Sequence, residues 1–64
     1  MKPKYPEIVV QLEDGNAFSI VAKVREALKK AGVSQKEQLE FQGEAMAGTY
    51  DDLLQTVMRW VTVE

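Results

Sequence analysis

The sequence predicts an α+β domain of order β-α-α-α-β, a two-stranded sheet with three helices packed on one face, and three features predict it. Apolar residues recur at helical spacing from Ala17 to Ala31, between a capping asparagine and a glycine stop. Ile8, Val10 and Leu12 alternate with Glu7, Gln11 and Glu13, the period of a strand with one buried face. The carboxyl terminus, Arg59-Trp60-Val61-Thr62-Val63, is rich in β-formers and supplies the pairing partner that a lone first strand would lack.

Residues 1–6 contain Pro3 and Pro6, which favour extended backbone, and read as an arm leading into the first strand with Tyr5 as its anchor. Val9 breaks the alternation and puts an apolar side chain on the wet face. Asp14-Gly15 supplies a turn, and Asn16 caps a helix that starts at Ala17. Ala17, Ile20, Val21, Val24, Ala27, Leu28 and Ala31 form its core stripe. Lys29 and Lys30 sit at the negative end of its dipole. Gly32 takes the left-handed conformation past the end, with Val33 folding back onto Leu28.

Ser34 and Glu37 have the spacing of a capping box for a second helix from Gln35, closed by Ala47-Gly48. Its face is poorly defined, with Phe41 and Ala45 on one line, Leu39 and Met46 on a neighbouring one, and Gly43 weakening the middle. Thr49 caps a third helix, with Asp51 and Asp52 in its first turn. Tyr50, Leu53, Leu54, Val57, Met58 and Val61 mark its face, and the expected boundaries are a helix from Tyr50 to about Met58 and a strand from about Trp60 to Val63. No Gly, Pro or Asn separates that helix from that strand. The strand is therefore expected to run on along the helix, which places it antiparallel to the first if the helices alternate in direction.

Sixty-four residues make one domain, whose core is close to the lower limit for independent folding. With neither cysteine nor histidine there is no disulfide, thiolate or imidazole chemistry, and oligomerisation is the remaining external source of stability. A net charge of −2 and a pI near 5.1 argue against a dedicated nucleic-acid or membrane-surface binder. The amino terminus has no apolar run long enough for a signal peptide, so the expected location is cytoplasmic and the chain unprocessed.

Leu28 to Phe41, with Gly-Val-Ser between two helices, has the outline of a DNA-binding helix-turn-helix. Bulky Leu28, polar Gln38 and the acidic Glu37, Glu40 and Glu44 all weigh against it. Lys23, Arg25, Lys29 and Lys30, with Lys2 and Lys4 on the arm, are the candidate nucleic-acid contacts, set against their plainer role as a solvated helix face. The pairs Glu13-Asp14 and Asp51-Asp52 already serve a turn and a helix start, so no metal site is assigned. Ser34 and Thr49 are caps, which leaves no catalytic constellation, and no cofactor is implied. Tyr5, Val9, Tyr50 and Trp60 remain as candidate interface residues near an open sheet edge.

Asp14-Gly15-Asn16-Ala17-Phe18, Ala31-Gly32-Val33-Ser34 and Tyr50-Asp51 with Leu53-Leu54, Met58 and Trp60-Val61 give the chain a further context. In these it resembles small uncharacterised proteins encoded in bacterial and phage genomes. That resemblance spans nearly the whole chain and implies a self-contained small domain, with no activity to carry to any position. The expected function is a non-enzymatic interaction or regulatory domain that forms a homodimer through an edge strand and meets an unidentified protein partner. The alternative is a nucleic-acid-binding regulator using residues 17–46 or the basic arm, and a small enzyme stands behind both.

Overall fold

Five elements follow one another in a computed structural model that describes residues 2–12 and 15–64: β1 (Tyr5–Val10), α1 (Ala17–Lys30), α2 (Gln35–Ala45), α3 (Tyr50–Trp60) and β2 (Val61–Val63). The turn read at Asp14 and the Glu13-Asp14 pair lie outside the described residues. β1 begins at Tyr5, inside the stretch expected to be an arm.

Both ends of α1 are built by local chemistry. Asn16 Oδ1 accepts hydrogen bonds from the amides of Phe18 at 2.9 Å and Ser19 at 3.3 Å. At the other end Gly32 has φ 86°, its amide donates to the Lys29 carbonyl, and the Val33 amide donates to the Leu28 carbonyl. These are the two bonds of a Schellman stop, and Val33 completes it by packing on the core. A Cβ at Gly32 would meet nothing, so the cost of a side chain there is backbone strain alone. Gly32→Val is expected to cost about 1–2 kcal/mol, and Gly32→Asn clearly less, because asparagine tolerates the left-handed region. Thermal melts of the three proteins check this, and a valine variant that melts with the parent contradicts it.

Only half of the capping box expected at α2 is made. Ser34 Oγ accepts from the Glu37 amide at 3.3 Å, but the Glu37 carboxylate turns to Lys4 and Tyr5 instead of back to Ser34. The buried face is Gln38, Phe41 and Ala45, while Leu39 and Met46 stay exposed. Gln38 is 7% exposed, and its Nε2 donates to the Val33 carbonyl at 3.0 Å, which satisfies a polar group in a position that otherwise calls for an apolar one.

A full capping box starts α3 instead: Asp52 donates its amide to Thr49 Oγ1 and accepts the Thr49 amide at 3.0 Å. Gly48 precedes it because a Cβ there would collide with the Asp52 carboxylate. The helix extends to Trp60, past the expected end at Met58, and buries Leu53, Thr56, Val57 and Trp60. The buried stripe is thus rotated away from Tyr50 and Met58, which are exposed.

β1 and β2 pair in parallel, which corrects the antiparallel expectation. The Lys4 amide donates to the Arg59 carbonyl at the end of α3, whereas the Tyr50 hydroxyl at its start lies next to Gly15, beyond the far end of β1. Helix α3 therefore runs against β1, and the chain reverses between Trp60 and Val61. Val61 makes the corner by passing directly to extended backbone, φ −137° and ψ 168°, while its amide still donates to the Val57 carbonyl. Such a corner needs no positive φ, so it needs no glycine or asparagine, and a β-branched residue suits it.

In the sheet, β1 steps from Tyr5 to Val9 while β2 steps only from Val61 to Thr62. Pro6, which has no amide to give a ladder, lies in this irregular stretch, and the Thr62 hydroxyl donates to its carbonyl at 2.7 Å. Ile8, Val10 and Val61 face the core with Val63 against it, and the helices supply Leu28, Val24, Phe41, Leu53 and Val57. All five of those helical side chains are essentially removed from water.

Candidate interaction surface

The four residues expected at an interface separate into two pairs. Trp60 belongs to the interior, with Tyr5 partly buried against it: Trp60 is 6% exposed, stacked at a tilt on Tyr5 and edge-on to Phe41. Its Nε1 donates to Glu44 Oε2 at 3.2 Å, and Lys4 Nζ lies 4.6 Å from its ring centre. Tyr5 Oη donates to Glu37 Oε1 at 2.6 Å, and the same oxygen pairs with Lys4 Nζ at 2.7 Å. The helix-capping carboxylate anticipated at Glu37 is thus the clasp between the amino-terminal strand and α2. Sequence spacing suggested only its local partner, because Lys4 and Tyr5 are brought to it by the tertiary fold.

The clasp sets a pH window. The Lys4 and Tyr5 hydrogen bonds hold the Glu37 carboxyl below its ordinary value of 4.5, so its stabilising contribution is present above that pH and is lost as acid takes the pH down through the lowered value. The same carboxylate raises Lys4 and Tyr5 above 10.5 and 10.0, and what these two contribute is present below those values and fades as base takes the pH up through the raised ones. Glu37→Gln is expected to flatten both limbs of a plot of melting temperature against pH. Limbs of unchanged slope in that variant would place the titration elsewhere.

Val9 and Tyr50 are the outward pair, and Val9 is 50% exposed. The Val10 carbonyl accepts from the Glu64 amide, so the backbone groups of Val10 face β2. Successive residues of an extended strand direct these groups to opposite sides, so those of Val9 face the outer edge of β1. Among the described residues the sheet has two strands, and this edge has no strand beside it. A cavity of about 440 Å³ lies next to it, between the end of β1 and α1, with Val10 and Ala27 among its walls and Lys23, Glu26 and Lys30 at its rim. Phe18, which lies off the α1 stripe, and Leu39, Met46 and Met58, which their spacing does not set apart, are further exposed apolar side chains.

The basic residues of α1 do not form one field. Lys23 and Lys30 border the cavity beside Val9, and Lys30 faces Glu26 at 4.0 Å. Arg25 and Lys29 border a different hollow with Ala22 and Gln38, and Arg25 Nη1 donates to Gln42 Oε1 at 2.6 Å. The buried Arg25 Nε has no hydrogen-bond partner among the described residues. Ser34 and Thr49 are caps, and Asp51-Asp52 stands at the start of α3. Among the described residues no group of His, Cys, Asp and Glu could hold a metal ion, and no helix is long and apolar enough to cross a membrane. Comparison of the chain with protein-family models, with curated proteins and with solved structures finds no match.

Proposed function

We propose that this protein is a small non-enzymatic interaction domain that pairs with a second copy of itself along the outer edge of β1. The observation that carries this reading is the open edge at Val9, where backbone donors and acceptors and a half-exposed apolar side chain occur together. An antiparallel two-fold pairing centred on Val9 makes a four-stranded sheet of order β2-β1-β1-β2. It sets Val9 against its own copy and Glu7 against Gln11, so no like charges face each other. Pro6 lacks an amide, which confines the pairing to residues beyond it. In a 64-residue chain without cysteine the larger sheet adds stability that a single small core lacks.

The expected result of size-exclusion chromatography with light scattering at micromolar concentration is a dimer mass for the parent. Val9→Lys, a charge at the centre of the pairing, is expected to give a monomer that keeps its helical circular dichroism. A parent that runs as a monomer contradicts the reading.

A further inference from the structure

We infer that the groove between the amino-terminal arm and the last turn of α3 binds a short acidic peptide segment that carries an apolar side chain, contributed by a partner protein. The groove is open to solvent, has a volume of about 580 Å³ and is lined by Lys2, Lys4, Gln55, Met58 and Arg59, three cations with no carboxylate among them, in a chain whose net charge is −2. It is larger than the hollows on either side of α1.

The sequence builds it from both sides. The arm bends at Lys4, just before β1, and both Lys2 and Lys4 line the groove. The Lys4 amide ties the arm to the Arg59 carbonyl at 2.8 Å, which fixes the arm against the helix. On α3, Arg59 Nη2 donates to Thr56 Oγ1 at 3.0 Å, and Thr56 is itself buried, so the guanidinium is held in place before any ligand arrives. Met58, 53% exposed, also lines the groove and gives it an apolar side chain.

These features select the occupant. Lys4 Nζ is already engaged by Glu37 and lies over Trp60, so Lys2 and Arg59 are the groups that would meet carboxylates, with Lys4 adding its field. Two or three cations suit a few side-chain carboxylates, whereas a nucleic acid calls for a longer phosphate-neutralising track. The aromatic that could stack a base, Trp60, is buried. The Met58 side chain suits a leucine-like side chain between acidic ones. This surface is separate from the β1 edge, so a chain that proves monomeric leaves it standing.

The test is a nitrogen-15 NMR titration, at low salt, of the full chain with a blocked five-residue peptide alternating glutamate and leucine. Saturable shifts are expected at Lys2, Lys4, Gln55, Met58 and Arg59. Affinity is expected to fall about tenfold or more in Lys2→Glu/Arg59→Gln. It should be retained in Lys23→Glu/Lys29→Gln, which makes the same charge change on α1. Chemical shifts of each free variant establish that it is folded, and Lys2→Glu alone, on the exposed arm, repeats the comparison if Arg59→Gln is not. The inference is overturned by no saturable shifts, by equal affinity for the same peptide with glutamine in place of glutamate, by an equal loss in the α1 variant, or by tighter binding of a single-stranded oligonucleotide in this groove.

Discussion

Phe41→Ala is expected to leave most of the protein unfolded at room temperature. Phe41 is fully buried and is the largest fully buried side chain, and it stands edge-on to Trp60 at a ring separation of 5.7 Å. Emptying that volume costs about 3–5 kcal/mol. A single core of this size rarely supplies more than about 3–5 kcal/mol in total, so the loss matches the whole margin. Phe41→Leu keeps most of the volume and is expected to stay folded, with a loss of about 1–1.5 kcal/mol. Urea unfolding followed by circular dichroism separates the two. A cooperative transition in the alanine variant near the parent midpoint would show that the core closes around another side chain.

Trp60→Ala is expected to have the second largest effect, about 3–5 kcal/mol, for a reason that joins packing to the amino terminus. Trp60 ends α3, fills the space between Tyr5 and Phe41, bonds Glu44 and lies under the Lys4 ammonium. Its removal therefore opens the core and undermines the arm at once. Trp60→Phe keeps a ring but loses the bond to Glu44, and about 1 kcal/mol is expected for that bond. Because the two rings touch, Phe41→Leu and Trp60→Phe combined should depart from additivity by about 0.5–1.5 kcal/mol. Additive losses would mean that the edge-on contact contributes only buried area.

Those two residues also mark where the sequence could be read and where it could not. Asn16, Gly32, Ser34 and Thr49 act on amides within a few positions of themselves, and each begins or ends a helix where its spacing says it should. Leu28 lies on the core stripe that periodicity marks and is buried, while in α2 spacing leaves two lines open and the line of Phe41 and Ala45 is the dry one. The decisive partners of Glu37, Gln38 and Trp60 are distant or lie across a turn, where spacing carries no signal: Lys4 and Tyr5, the Val33 carbonyl, and Phe41 with Glu44. Thr56 is buried although its type gave no sign, since only the rotation of α3 against the sheet decides which side of the helix is dry.

The strand direction failed for a different reason. A missing glycine or asparagine rules out only turns that need a left-handed residue, and the Trp60-Val61 corner does not need one. Val9, the apolar residue out of phase in β1, is exposed as the pattern implies, whereas Trp60 is buried and Tyr5 is partly buried against it, which no spacing in β1 or α3 marks. The arm groove is not legible in the sequence because Arg59 lies at the other end of the chain from Lys2 and Lys4 and meets them only when β1 pairs beside the end of α3.

The central claim is that two copies meet at Val9, and a single cysteine in a chain that otherwise has none tests it most directly. If the backbone groups of Val9 pair with those of its own copy, the two Cα atoms stand about 5.5 Å apart, within reach of a disulfide. Val9→Cys under mild oxidation should become a covalent dimer rapidly and almost completely, and Phe18→Cys, at the more exposed position of 73%, should do so only slowly. Equal rates of cross-linking at the two positions, or a Val9→Cys chain that stays monomeric, would contradict it.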